Sequence, residues 1–203
     1  MGGNPRVRIA SIEVLSDDWY TLRKATFEFR HADGSWSTQH REAYDRGNGA
    51  TALLFDPERG TVVLTRQFRM PAYLNGHPDG MLIETPGGLL DTDDADDAAA
   101  AVRREIEEET GFVVDELREL FDVYMSPGSV TERVVFFAGT YHADQRTGAG
   151  GGHAHEGEDI EVLEIPLTEA ADMITTGAIR DGKTIMLIHW ALLEQASVNR
   201  DNA

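Results

Sequence analysis

The stretch ETPGGLLDTDDADDAAAAVRREIEEETGF, residues 84–112, decides the reading of this chain. It begins where a strand breaks at Pro86-Gly87-Gly88, a bend with no side chain to hold a ligand off the backbone. An acidic turn from Asp91 to Asp97 follows, rich in residues that cap a helix and favour its positive end. The rest is an alanine-rich helix that stops at Gly111. On it Ala95, Ala98, Ala99, Val102 and Ile106 recur at three- and four-residue steps, which predicts one buried stripe. Glu105, Glu108 and Glu109 stand at i, i+3 and i+4, so their carboxylates converge on a neighbouring face. Like charges held this way repel, and a divalent cation reverses the sign of that cost. Hard oxygen donors suit Mg²⁺, with Mn²⁺ as the alternative. A glutamate run by itself is more often a solvated face. Here it is tied to a glycine elbow before it and a glycine stop after it, which a solvated face does not need, so the metal site is the favoured reading.

Composition bounds the rest. The 203 residues suffice for one domain, or one domain with an added arm. There are no cysteines, which excludes thiol nucleophiles and disulfides and fits a reducing cytoplasm. The first residues lack the apolar run of a signal peptide, and the longest apolar run, near Ile185 to Leu193, is too short to span a bilayer. The expected setting is therefore cytoplasmic, away from any membrane. A net charge of −18 argues against a nucleic-acid partner. It also means that any anionic substrate must be met by locally placed cations.

Upstream, Val7–Leu15, a run with two-residue alternation through Phe27 and Phe29, and Trp36–Tyr44 read as three strands, the last two joined by the hairpin signal Asp33-Gly34. This antiparallel ribbon, residues 1–45, has little apolar content and should lie on something else. Residues 46–203 read as the main domain. Strands are expected at Ala52–Phe55, Val62–Leu64, Met81–Glu84, Leu120–Tyr124, Val130–Tyr141 and Ile160–Ile165, with a Pro/Gly/Asn loop after Met70. Residues 142–159 read as a mobile glycine-rich loop, and two helices follow, about Leu167–Thr175 and Lys183–Gln195. His153 and His155 in that loop form an i, i+2 pair able to bind a transition metal, although a solvated loop is the commoner case.

Gly177 to Thr184 satisfies G-x4-G-K-[ST], the phosphate-binding P-loop pattern. That motif works only between a strand and a helix, whereas the residues upstream are amphipathic-helical. A nucleotide-binding module at 177–184 therefore stands as an alternative of another class. Glu132 and Glu158, isolated acids in or beside two late loops, are candidate general bases for water.

The segment Arg104-Glu105-Ile106-Glu107-Glu108-Glu109-Thr110-Gly111-Phe112 resembles the core of the Nudix box, G-x5-E-x7-R-E-U-x-E-E-x-G-U, where U is aliphatic or aromatic. Upstream, Gly88 stands two residues earlier than the pattern places its glycine, so the turn is longer. The stretches VLSDDWYTL, HREAYDRGNGA, VVLTRQFR, VYMSPGSVTE and IRDGKT extend the resemblance to the GDP-mannose pyrophosphatase branch of the Nudix hydrolases, near the ADP-ribose pyrophosphatases. It implies an α+β fold: an αβα sandwich with a mixed sheet, plus an N-terminal ribbon exchanged in a homodimer. The implied activity is Mg²⁺-dependent hydrolysis of a nucleoside diphosphate sugar, GDP-mannose to GMP and mannose 1-phosphate. Hydrolysis of ADP-ribose to AMP and ribose 5-phosphate is the nearest rival. The resemblance further assigns the Gly87 carbonyl, Glu105, Glu109 and Glu158 to metal, with Glu108 as a supporting catalytic ligand. Trp19, Arg41, Glu42, Arg69, Gly88, Glu132 and Lys183 are placed around the substrate.

Overall fold

The structure, a computed structural model, describes residues 3–90, 95–153 and 157–201. Residues 91–94 of the expected acidic turn, and His155, lie outside the described residues. The chain divides into two compact units. Unit 1 comprises Met1–Asn48 and Val123–Val134, and unit 2 comprises Gly49–Asp122 and Val135–Ala203.

Unit 1 is built on an antiparallel sheet of β1 (Val7–Asp17), β2 (Thr21–Arg30) and β3 (Trp36–Asp45) in the order β1-β2-β3. The ribbon foreseen in the sequence is present, with Val7 opposite Phe29 and Arg30 opposite Trp36. Segment 123–134 belongs to the same unit as the ribbon. Tyr44 donates its amide to the Ser129 carbonyl at 2.8 Å and accepts from the Thr131 amide at 3.0 Å, so that segment groups with the ribbon. A three-stranded sheet has two faces to cover. Ile9, Ile12 and Val14 on β1 are 64%, 59% and 55% exposed.

Unit 2 is a sandwich about a seven-stranded mixed sheet. Its strands are β4 (Gly49–Asp56), β5 (Thr61–Phe68), β6 (Met81–Glu84), β7 (Gly87–Leu89), β8 (Leu117–Tyr124), β9 (Arg133–Thr140) and β10 (Glu161–Pro166). The main path runs β10-β5-β4-β9-β8, while β6 pairs with β5 and β7 with β4. Both faces of β4 and β5 are buried, as strands flanked by helices require: Leu53, Leu54, Val62, Val63 and Leu64 are inaccessible to solvent. The helix α2 (Ala95–Thr110) lies on one face, sinking Ala98, Val102 and Ile106 against Ala50, Ala52, Leu54 and Val63. Of the expected stripe, Ala98, Val102 and Ile106 are fully buried and Ala99 partly so. The other face carries α3 (Leu167–Thr176) and α4 (Gly182–Asp201), with Leu167, Ala170, Leu187 and Ile188 buried. A short helix, α1 (Met70–Leu74), occupies the start of the stretch read as a loop. Pro71 near its first turn suits a helix start as well as a loop, which hid it from a breaker-based reading.

The glycine-rich loop is the main departure. Its described residues are pinned to the end of α2, where a helix leaves carbonyls without partners. Thr147 and Gly151 donate amides to the Gly111 and Glu109 carbonyls at 2.8 and 2.9 Å, and Gly152 donates to that of Glu108 at 3.1 Å. The Arg146 guanidinium closes the turn on the Gly148 and Ala149 carbonyls. The glycines serve close backbone approach: a Cβ on Gly150 would stand 2.6 Å from the Thr110 carbonyl carbon.

Since Ile106 is inaccessible to solvent on the α2 stripe, Ile106→Ala should lower the unfolding free energy by about 2–5 kcal/mol in urea titration. A loss within 0.5 kcal/mol would mean that the stripe is not the core contact described here.

Candidate active site

The site grows from the way β6 hands the chain to β7. Thr51 on β4 donates its hydroxyl to the Pro86 carbonyl at 3.0 Å and stands 2.8 Å from the Thr85 hydroxyl, while Ala52 N–H also reaches Pro86 at 3.0 Å. These bonds fasten the elbow to the middle of the sheet. Gly87 and Gly88 then pair with Thr51 and Ala50. Any side chain at Gly87 would strike the Ala50 carbonyl and stand 2.8 Å from the Thr51 Cα, and one at Gly88 would strike the Glu105 carboxylate. The bareness inferred from sequence is thus required by backbone at Gly87, while at Gly88 a side chain would have to displace the Glu105 carboxylate.

Across the elbow stands the last turn of α2. Glu109 is 2% exposed, and its carboxylate accepts the Gly87 amide at 3.1 Å. Burial pushes its pKa up to about 8; the Gly87 bond and Arg69 oppose that rise, while the Glu105 and Glu158 charges add to it. Glu108 is exposed and lies 3.4 Å from His153 Nε2. Glu158 accepts the His153 amide at 2.9 Å, so the loop pinned to α2 delivers this acid to the same region.

Arg69 and Lys183 supply positive charge. Glu84, the last residue of β6 and 3% exposed, accepts two bonds from Arg69 at 2.9 and 3.0 Å and lies 3.7 Å from Lys183 Nζ. Burial works against the Arg69 charge, but the Glu84 carboxylate holds its pKa above the ordinary value. This is the local remedy that the overall charge of −18 demands.

Unit 2 thus gathers Arg69, Gly87, Gly88, Glu105, Glu108, Glu109, Glu158 and Lys183 from the predicted set. Trp19, Arg41, Glu42 and Glu132 belong to unit 1. There Trp19 is 84% exposed and meets the Tyr20 ring edge-on, Arg41 bonds to the His40 carbonyl and Gln39, and Glu132 pairs with Arg46 at 3.4 Å. Glu42 sits on β3 opposite Lys24. Sequence reasoning missed Glu84. Its signal was a lone acid ending the otherwise apolar strand Met81–Ile83, immediately before the elbow.

The P-loop match fails on context. Gly177 ends α3 in the left-handed conformation, and Asp181 accepts the Thr184 amide at 2.9 Å, capping α4. Helix, turn and helix replace the strand, loop and helix the motif needs. A half-open cleft of about 1000 Å³, lined by Phe55, Arg118, Trp190 and Glu194 among others, contains none of the predicted site residues.

The donor set fits a divalent ion in its chemistry: carboxylates on one helix end and a neighbouring loop, one of them buried without a full counter-charge. Among the described residues, no three acidic or histidine side chains are already drawn to ligand spacing. The acids have other partners, Glu109 on an amide of the elbow and Glu108 and Glu158 on His153.

Comparison with known proteins divides the chain near residue 45. Residues 45–188 match the model described as the NUDIX domain, and residues 6–44 match that of the GDP-mannose pyrophosphatase NudK N-terminal domain. The chain belongs to the Nudix hydrolase family. It is 53% identical to a GDP-mannose pyrophosphatase of Yersinia enterocolitica over 187 residues, covering 91% of this chain and 95% of the relative. A protein of the same name from Citrobacter koseri is 50% identical over 185 residues, covering 91% and 94%. A crystal structure of an ADP compounds hydrolase superposes with a TM-score of 0.73 at 15% identity, over 98% of this chain and all of that one, which supports the fold. Nudix hydrolases work with divalent metal ions. Among the described residues no helix is long and apolar enough to cross a membrane.

Glu109 gives the metal-free enzyme a pH signature. Its folded pKa, about 8, exceeds the ordinary 4.5, so the folded state holds a proton that the unfolded state has lost. Stability of the metal-free protein should therefore fall as pH rises from about 4.5 to 8. Glu109→Gln should match the wild type at pH 5 and exceed it by several degrees of Tm at pH 8.5, in thermal melts with chelator. Parallel curves for the two proteins would contradict the assignment.

Proposed function

We propose that the chain hydrolyses the pyrophosphate bond of a nucleoside diphosphate sugar with Mg²⁺, or Mn²⁺ in its place, and that the substrate is GDP-mannose. Water adds to one phosphorus as the bridging P–O bond breaks, yielding GMP and mannose 1-phosphate. The observation that carries the reading is the buried Glu109 carboxylate on the Gly87 amide, in a Nudix chain about half identical to relatives named GDP-mannose pyrophosphatase.

In this reading Glu105, Glu109, Glu158 and the Gly87 carbonyl hold the metal, with Glu108 in support. A bound divalent ion there supplies charge neutralisation for the diphosphate and activation of water. Gly88 lets the substrate approach the backbone. Arg69 and Lys183 meet the phosphates. From unit 1, Trp19 stacks on the base, while Arg41 and Glu42 contact the substrate. Glu132 and Glu158 are the two candidates for taking the proton from water. The likeness to the ADP compounds hydrolase extends to the fold alone, so it does not favour ADP-ribose over GDP-mannose. We further propose that two copies pair through unit 1, covering Ile9, Ile12 and Val14, and that the enzyme works in the cytoplasm.

A panel of nucleotide sugars with Mg²⁺, products resolved by chromatography, should give GMP and mannose 1-phosphate from GDP-mannose at the highest kcat/KM. A higher value for ADP-ribose would move the assignment to the rival. Glu109→Gln should abolish turnover. Of Glu132→Gln and Glu158→Gln, the one that removes the acidic limb of the pH–kcat profile marks the base, whereas loss of a ligand raises the metal concentration needed. Light scattering should report a dimer; a monomer at assay concentrations would exclude the pairing.

A further inference from the structure

Glu84 is a buried acid of unit 2 outside the metal-binding candidates. Its side chain is 4% exposed, and two cations from distant parts of the chain close on it. Arg69 arrives from the end of β5 and offers a paired, two-point contact, Nε to Oε1 at 2.9 Å and Nη2 to Oε2 at 3.0 Å. Lys183 arrives from the first turn of α4, its Nζ 3.7 Å from the same Oε2. Lys183 is held from behind as well, donating to Asp181 Oδ1 at 2.8 Å. Asp181 Oδ2 accepts from the Thr184 amide and hydroxyl, and Thr184 Oγ1 accepts the Thr85 amide at 2.8 Å. The start of α4 is thereby stitched to the residue that follows Glu84, one position before the Pro86 bend.

A buried ion pair is weak evidence for a contribution to stability, because desolvation offsets most of the attraction. Two long cationic side chains, however, lose much rotamer freedom when fixed, and a ligand that found them already fixed would not bear that cost. Arg69 also stands close enough to the metal-binding candidate Glu109 for each to affect the other's charge. The cations fixed by Glu84 are therefore beside the acids, where a diphosphate bridging the two would need them.

We propose that Glu84 is a positioning residue: its buried carboxylate holds the Arg69 guanidinium and the Lys183 ammonium side by side at the glycine elbow, ready for the substrate's diphosphate. The inference rests on the hydrolytic reading of the site. Glu84 touches no reacting atom; it acts through the two cations.

Glu84→Gln keeps the shape and one acceptor but removes the charge. It should raise KM for the nucleotide sugar roughly tenfold, with kcat changing less than about threefold, because it weakens a binding contact present throughout the reaction. In a cycle with Arg69→Lys, which retains charge but not two-point geometry, the double variant should show a smaller KM increase than the product of the single ones. A purely structural Glu84 would lower the melting temperature and the active fraction with KM unchanged. An unchanged KM, or penalties that multiply in the cycle, overturns the proposal. If Glu84→Gln does not fold, Glu84→Asp, charged but shorter, carries the same comparison. The two readings fail separately. A wild type that turns over no nucleotide sugar refutes the hydrolytic reading, and the proposal is then read from GDP binding by calorimetry, where Glu84→Gln must weaken binding roughly tenfold. Normal wild-type turnover with KM unaffected by Glu84→Gln refutes the proposal alone.

Discussion

A carboxylate buried to 2% exposure, resting on a single main-chain amide and pushed towards neutrality, is the constraint around which unit 2 is arranged. Glu109 is kept there by apolar packing one turn earlier, where Ile106 and Val102 anchor α2 on the sheet. Gly87 is kept there by Thr51 and the β4–β7 pairing. Neither partner is free to relax away from the other. A buried acid with incomplete compensation is a cost that folding must absorb, and a cation removes it. In the proposed site, the ion relieves that cost.

The surrounding structure distributes charge so that this works in a strongly acidic protein. On one side, acids converge from α2 and from the loop pinned to its end; on the other, Arg69 and Lys183 share Glu84. The loop's amides satisfy the α2 carbonyls that a helix end leaves open, so the element that completes the helix also carries Glu158. The net charge of −18 therefore coexists with two cations, Arg69 and Lys183, held on Glu84 and Asp181.

Much of this was legible in residues 84–112. Helical spacing found the buried stripe because Ala98, Val102 and Ile106 alternate with charge at a period only a helix satisfies. The glycine pair was legible because only close approach explains two adjacent glycines at a strand end. Other features depend on contacts distant in sequence. The pinning of the glycine-rich loop was not legible, since glycine content does not distinguish freedom from tight backbone packing: the amides of Thr147, Gly151 and Gly152 bond to carbonyls about forty residues earlier. Glu84 looked like an ordinary strand terminus because Arg69 and Lys183 lie 15 and 99 residues away. The P-loop pattern at 177–184 was a coincidence of the glycine that ends α3 and the Gly-Lys-Thr that opens α4, and local periodicity sufficed to doubt it.

The central claim is that Glu109 must give up a proton for the site to take its metal. Calorimetric titration of Mg²⁺ into the protein, repeated in buffers of different ionisation enthalpy, measures this directly. At pH 6.5 the account predicts release of about one proton per ion bound, declining towards none above pH 9, with the release absent in Glu109→Gln. Metal binding at pH 6.5 with no proton release, or with the same release in Glu109→Gln, would contradict it.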